Sequence, residues 1–267
     1  MYHIKLTING TALDMSYAGG YLIRTITGLT GASARITTAQ HSSGYGEAFV
    51  GATVAGLPIR VEGYVLDSDT TAGTLIKTRL INDIVAGGTG TLEIYNGDTV
   101  HRVTEVVVSA APTVTQEKHA RFSFQLYSPR GIWHTSNAAT ISLDGASIAD
   151  PVEKLVDGQM PAEYTFLAIA AMDAFGWSLC CDDMYLYLNF QLLAAGKLAA
   201  GSTLLVYRDN GRLRITIDGA DAMKALDPRT NLWYLPVGRH NFSVLATGVA
   251  ATLTYKPSYA GVILGGV

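Results

Sequence analysis

Between Leu226 and Val244 the chain reads LDPRTNLWYLPVGRHNFSV, gathering Asp227, Arg229, Trp233, Arg239, His240 and Asn241 into one short span. An aromatic ring beside guanidinium, imidazole and amide donors is what a sugar-binding surface uses. The ring takes the apolar face of the sugar, and the donors take its hydroxyls. An Asp with a His also invites an acid–base reading. The spacing has a plainer origin. Trp233 and Leu235 are two apart, and so are Phe242 and Val244, with Pro236-Val237-Gly238 between them as turn residues. Alternation then places Trp233, Leu235, Phe242 and Val244 on one face. The segment is predicted to be a β-hairpin with those four as its core, with Asn241 on the other face and Asp227-Pro228 as a turn leading in.

Other places where chemistry could reside are weaker. Gly87 to Thr91, GGTGT, has the glycines of a phosphate loop, but it follows a predicted helix and carries no Lys, so it reads as a helix stop. Ser178, in GWSLC, lacks the second Gly of a nucleophile elbow. The six His residues include no pair at metal-ligand spacing along a helix. Asp182 and Asp183 are adjacent, so a strand would splay them to opposite faces, away from paired acid–base work. Cys180 and Cys181 are likewise adjacent, which makes a bridge between them strained; one buried and one surface thiol are expected. No catalytic residue, metal site or cofactor is predicted, and the chain is expected not to be an enzyme.

The 267 residues carry a formal charge of −3 and only 15% charged residues. That is enough chain to bury a core without disulfides or metal. It supplies no basic stripe of the kind sequence-specific nucleic-acid binding requires. The start, MYHIKLTING, lacks a secretory pattern, and the most apolar run, YTFLAIAAMDAFGW, is short of the ~20 residues a membrane helix needs, so no membrane insertion is expected.

What remains is mostly strand. Asn9-Gly10, Asn96-Gly97 and Asn210-Gly211 stand beside apolar or alternating runs and favour tight hairpin turns. Phe122, Phe124 and Leu126 alternate with Arg121, Ser123, Gln125 and Tyr127, and Leu213, Ile215 and Ile217 alternate with Arg212, Arg214 and Thr216. One segment has a helical period. Ile76, Leu80 and Ile84 recur every four residues, Ile81 and Val85 widen the stripe, and a helix over about 71–86 is predicted to pack on a sheet. Residues 134–150 are small, polar and aperiodic, and are expected to form a linker. The expected organisation is mainly β: residues 1–133 a β-barrel or sandwich with one packed helix, and residues 151–267 a β-sandwich. Strands of the second domain are expected around 163–171, 184–193, 203–208, 212–217, 231–235, 241–246 and 250–255.

The run from Ala200 to Tyr259 closely resembles the C-terminal galectin-like domain of the distal tail proteins of long, non-contractile phage tails. The residues that carry the likeness are Ala200-Gly201-Ser202-Thr203, Ile217-Asp218-Gly219, Leu226-Asp227, the stretch Leu232 to Phe242, and Thr252-Leu253-Thr254-Tyr255-Lys256-Pro257-Ser258-Tyr259. The order IRVEGYVLD, helix, GTLEIY hairpin and ARFSFQLYSPRGIW is similar to the family's N-terminal part; residues 134–180 match least. The resemblance implies a structural virion protein at the phage tail tip, assembled in the host cytoplasm. It implies a homohexameric ring, formed by the N-terminal domains at the distal end of the tail tube. Its partners would be the tail tube protein, the tail-tip hub or tail-associated lysin, and receptor-binding proteins. The alternative is a carbohydrate-binding adhesion module of a phage tail. Sugar-binding galectins carry H-x-N-x-R and W-G-x-E-x-R; here His240 is followed by Asn241-Phe242 and Trp233 by Tyr234-Leu235, so that site is missing.

Within the expected ring domain, Ala39 to Pro58 is long, Gly-rich and neither helical nor cleanly alternating. Tyr45, Phe49, Val50, Val54 and Leu57 are too apolar for an idle solvated loop. They are the predicted subunit-interface residues, covering a neighbour's sheet edge in a head-to-tail contact.

Overall fold

A computed structural model describes residues 2–30, 34–40, 47–97, 99–115, 119–144, 146–147, 149–209, 211–231, 233–245 and 249–262. Asn210 and Asp98, at two of the expected turns, lie outside them. The chain divides into two units, Met1–Ser136 with Tyr259–Val267, and Asn137–Ser258.

The first unit contains β1 (His3–Ile8), β2 (Thr11–Met15), β3 (Tyr21–Thr27), β4 (Ala34–Gln40), β5 (Glu47–Val54), β6 (Leu57–Val65), α1 (Thr71–Asp83), β7 (Thr89–Asn96), β8 (Thr99–Val114), β9 (Arg121–Ser128) and β10 (Trp133–His134). Seven strands pair in the order β2-β1-β7-β8-β9-β6-β3. Tyr2 bridges Ile23, which brings β3 back beside the start of β1 and curls the sheet towards a barrel. The period of two decides what fills it: Ile4, Leu6, Ile59, Val61, Leu92, Ile94, Phe122, Phe124 and Leu126 all point inward and are buried. The β1–β2 turn uses Asn9 and Gly10, both at positive φ (48° and 84°), as Asn-Gly predicted.

α1 begins where Thr70 accepts a hydrogen bond from the Gly73 N–H at 3.1 Å. Gly73 is required there, since a Cβ would lie 2.1 Å from the Asp67 carbonyl oxygen. The helix stops at Asp83, three residues before the expected end at 86. Leu80 and Ile84 enter the barrel core and Ile76 packs against it. Ile81 and Val85 do not widen that stripe, being 49% and 52% exposed: the helix rests on the sheet along one narrow line.

The second unit contains β11 (Ala139–Ser142), β12 (Val152–Val156), β13 (Tyr164–Ala170), β14 (Gly176–Cys181), β15 (Met184–Asn189), β16 (Thr203–Asp209), β17 (Arg212–Ile217), β18 (Ala220–Asp221), β19 (Gly238–Leu245) and β20 (Val249–Tyr255). They form two sheets, β11-β20-β13-β16-β17-β18 and β12-β19-β14-β15. Phe166, Leu204, Val206 and Leu253 from the first share one core with Trp177, Leu179, Leu186, Phe242 and Val244 from the second. This is a β-sandwich.

Two expected boundaries differ. The stretch 134–150 is not a linker throughout: Ala139–Ser142 pairs with Tyr255–Thr252 as an edge strand, with Ile141 buried. Small polar residues on an edge strand hide the period. Residues 259–262 belong to the first unit, where Val262 is buried and its N–H bonds the Leu29 carbonyl oxygen at 2.8 Å.

Candidate functional site

The opening stretch packs differently from the hairpin its spacing predicted. Asn231, Trp233 and Tyr234 form no strand; Leu235 makes a single bridge to Ala162, and β19 pairs instead with β12 and β14. Trp233, Leu235, Phe242 and Val244 nevertheless lie in one core, exposed by 6%, 0%, 0% and 4%. The Trp233 ring stacks on Tyr164 with centroids 4.6 Å apart, and its carbonyl oxygen accepts from Arg208 Nη2 at 3.2 Å. A ring so covered offers no platform to a sugar.

The polar residues of the stretch act as clasps. Asp227 takes Arg229 bidentately, Oδ1 from Nε and Oδ2 from Nη2, each at 2.9 Å. Arg229 pulls the Asp227 carboxyl down to about 2, and the carboxylate in turn raises the Arg229 pKa. Asp182 sits at φ 50° in the two-residue β14–β15 turn. Its Oδ2 lies 2.6 Å from His240 Nδ1, and its Oδ1 accepts from the Asn241 N–H at 2.9 Å. The His240 hydrogen bond, then that of Asn241, hold the Asp182 carboxyl below its ordinary range. The group is therefore a carboxylate that only accepts, and Nδ1 is the donor.

One donor set was not foreseen. Cys181 Sγ, an Asp182 oxygen and a His240 ring nitrogen lie within 4.8 Å of one another and are of the types that hold a transition metal. His240 is fifty-eight residues from Asp182, so no local motif could reveal the set. Desolvation pushes the Cys181 thiol up to about 12, which leaves it protonated, and the Asp and His are already engaged with each other. Both cysteines are buried, correcting the expected surface thiol, because the outward face of β14 is covered as well as the inward one. On the outer face of the adjoining β15, Tyr185 and Tyr187 stack at 5.4 Å with Arg229 5.2 Å from the Tyr187 ring.

In the first unit most of the described residues between Ala39 and Pro58 are strand. β4 and β5 form a two-stranded ribbon whose register shifts between Thr37 and Thr38, and that irregularity obscures the alternation. The four consecutive β4 residues from Ile36 to Ala39 are all exposed, Ile36 by 63%. Of the predicted interface residues, Tyr45 lies outside the described residues, as do the side chains of Phe49 and Val50. Val54 ends β5 and is half-buried. Leu57 does not serve as a surface residue: it opens β6 on the inward phase and is 4% exposed in the barrel core.

Residues 158–259 match the family model described as siphovirus-type tail component, C-terminal domain. Among solved structures, the Dit (gp 19.1) protein of phage SPP1 aligns with a TM-score of 0.68 at 13% identity, covering 96% of this chain and 98% of that one. It is described as a paradigm of the hub adsorption apparatus in phages infecting Gram-positive bacteria. The phage P2 baseplate in its activated conformation aligns at a TM-score of 0.48 and 10% identity, covering 98% and 100%. No curated protein sequence matches the chain. At these identities the structural likeness is one of fold. Together with the family match it bears out the resemblance to distal tail proteins read from the sequence.

Proposed function

We propose, from the match of residues 158–259 to the siphovirus-type tail component C-terminal domain, that this chain closes a hexameric ring at the distal end of a phage tail tube. The ring joins the tube to the tail-tip hub and to the adhesion proteins. A structural role in a phage tail or baseplate hub follows from the family match and the whole-chain fold likeness. The ring, its tube, lysin and receptor-binding partners, and assembly in the host cytoplasm before incorporation into the virion are the finer reading. Its function is geometric and needs no catalytic residue or cofactor. The observation that carries it is the likeness to the SPP1 hub protein across both units, 96% of this chain.

The β4–β5 ribbon gives the ring a physical rationale. An isolated two-stranded ribbon is marginal in water, and this one leaves Ile36–Ala39 of β4 exposed. A neighbouring copy supplies the missing surface, and a head-to-tail contact of this sort must close or run on as a filament. Sedimentation velocity of the full chain and of a Phe49→Ser/Val54→Ser variant tests this. The full chain is expected as hexamers and the variant as smaller species; hexamers unchanged in the variant would remove the ribbon from the interface.

A second reading, glycan binding by the C-terminal unit, draws on the stacked Tyr185 and Tyr187 beside Arg229 rather than on Trp233. A glycan array with the full chain and a Tyr185→Ala/Tyr187→Ala variant separates the two. Signal lost in that variant favours the adhesion module.

A further inference from the structure

On the outer face of the first unit, β3, β6 and β9 present Arg24, Arg60 and Arg121 around Tyr64. Two irregularities in the sheet make the place. β3 bulges against β6 between Ile23 and Thr25, so Arg24 is the extra residue and its side chain is re-aimed. β8 shifts register against β9 between Ala110 and Thr113 at the same cleft. Arg24 Nη1 donates to the Tyr64 hydroxyl at 3.4 Å, and the Arg121 guanidinium lies 5.6 Å from the centre of the same ring. Arg60 is paired with Glu62 at 2.7 Å. Among the described residues, neither Arg24 nor Arg121 has a carboxylate partner. The cleft holds about 240 Å³, and a second hollow of about 820 Å³ adjoins it, sharing Tyr64 and Arg121 as lining; the two together form a trough. Asp67, Asp69 and His119 line that second part. The trough is therefore bipolar: Arg24, Arg60 and Arg121 outnumber Glu62 at one end, and Asp67 and Asp69 supply carboxylates at the other, beyond the shared Arg121.

We propose that this trough binds an extended peptide segment of a partner chain, its carboxylate seated between Arg24 and Arg121 and a basic residue beside Asp67 and Asp69. Two guanidinium groups held about one tyrosine, with no carboxylate partner among the described residues, suit a planar, bidentate acceptor. A single phosphate would fill only the cationic end. A nucleic-acid strand would follow the trough into Asp67 and Asp69 and be repelled there. A peptide with charges of both signs satisfies both ends, and the tyrosine ring with the hydroxyls of Thr113 and Ser123 gives its backbone polar and apolar contacts. The inference goes beyond ring formation and does not depend on it.

The test uses the full chain and a fluorescein-labelled peptide with two glutamates at one end, two lysines at the other and a Gly-Ser spacer. Fluorescence anisotropy is expected to show saturable binding that weakens with salt. Arg24→Gln/Arg121→Gln should weaken it about tenfold or more, and Asp67→Asn/Asp69→Asn by a smaller factor. Arg214→Gln, in the other unit, should leave it unchanged. All three arginines are exposed, so these variants are expected to fold, and circular dichroism checks that. Absence of binding at millimolar concentration overturns the proposal. So does equal affinity of the double arginine variant, or full competition by inorganic phosphate or by oligothymidylate at concentrations matching the peptide.

Discussion

Replacing Trp233 with Ala tests whether the opening stretch is core or platform. The indole is 6% exposed and stacks on Tyr164 at 4.6 Å. Truncating a buried Trp leaves a cavity and costs ~3–5 kcal/mol, of which ~0.5–1.5 kcal/mol is the lost ring pair. The Arg208 hydrogen bond survives, because its acceptor is the backbone carbonyl; the loss is thus apolar. For a unit spanning Asn137–Ser258, that loss lowers the melting temperature by roughly 10–30 °C. Differential scanning calorimetry reads the shift, and far-ultraviolet circular dichroism at low temperature checks that the sandwich still forms. A shift below about 3 °C, with glycan binding abolished, would refute the core assignment and favour the adhesion module.

Further outcomes follow from the same geometry. Leu57→Ala should destabilise the first unit by ~2–5 kcal/mol, whereas Ile36→Ser should leave its melting within ~0.5 kcal/mol while reducing assembly; chemical denaturation paired with sedimentation distinguishes them. Asp227 has a folded pKa of about 2 against a reference of 3.8. Its contribution is present above about 3.8 and lost as pH falls through about 2. The urea midpoints of wild type and Asp227→Asn should therefore differ at pH 5 and converge at the acid end of that window; a constant difference would contradict the clasp. Cys180 and Cys181 are both buried, so a thiol reagent should label neither in the native protein and both in denaturant. Rapid native labelling would contradict the covered β14.

Alternation was legible where one face of a strand is buried and its register is unbroken, as for β9 against β6. β9 reads off its sequence directly, with Phe122, Phe124 and Leu126 inward, and the Asn9-Gly10 turn needs only residues that tolerate positive φ. The 231–244 region misled because Leu235 and β19 both take distant partners, Ala162 and the strands β12 and β14. Two alternating runs with a turn between them look the same whether they pair with each other or elsewhere. The Asp182–His240 clasp was invisible for the same reason. β4–β5 hid behind a register shift. The Arg24 cleft could not be foreseen because a bulge, not alternation, aims that side chain.

The central claim is that copies of this chain close on themselves. Native mass spectrometry of the full chain over a concentration series, with negative-stain images of the same samples, measures it directly. The expected result is a hexamer that appears with rising concentration and images as a six-fold ring with a central opening. A chain that stays strictly monomeric at the highest concentration, or that grows into open filaments, would contradict the account.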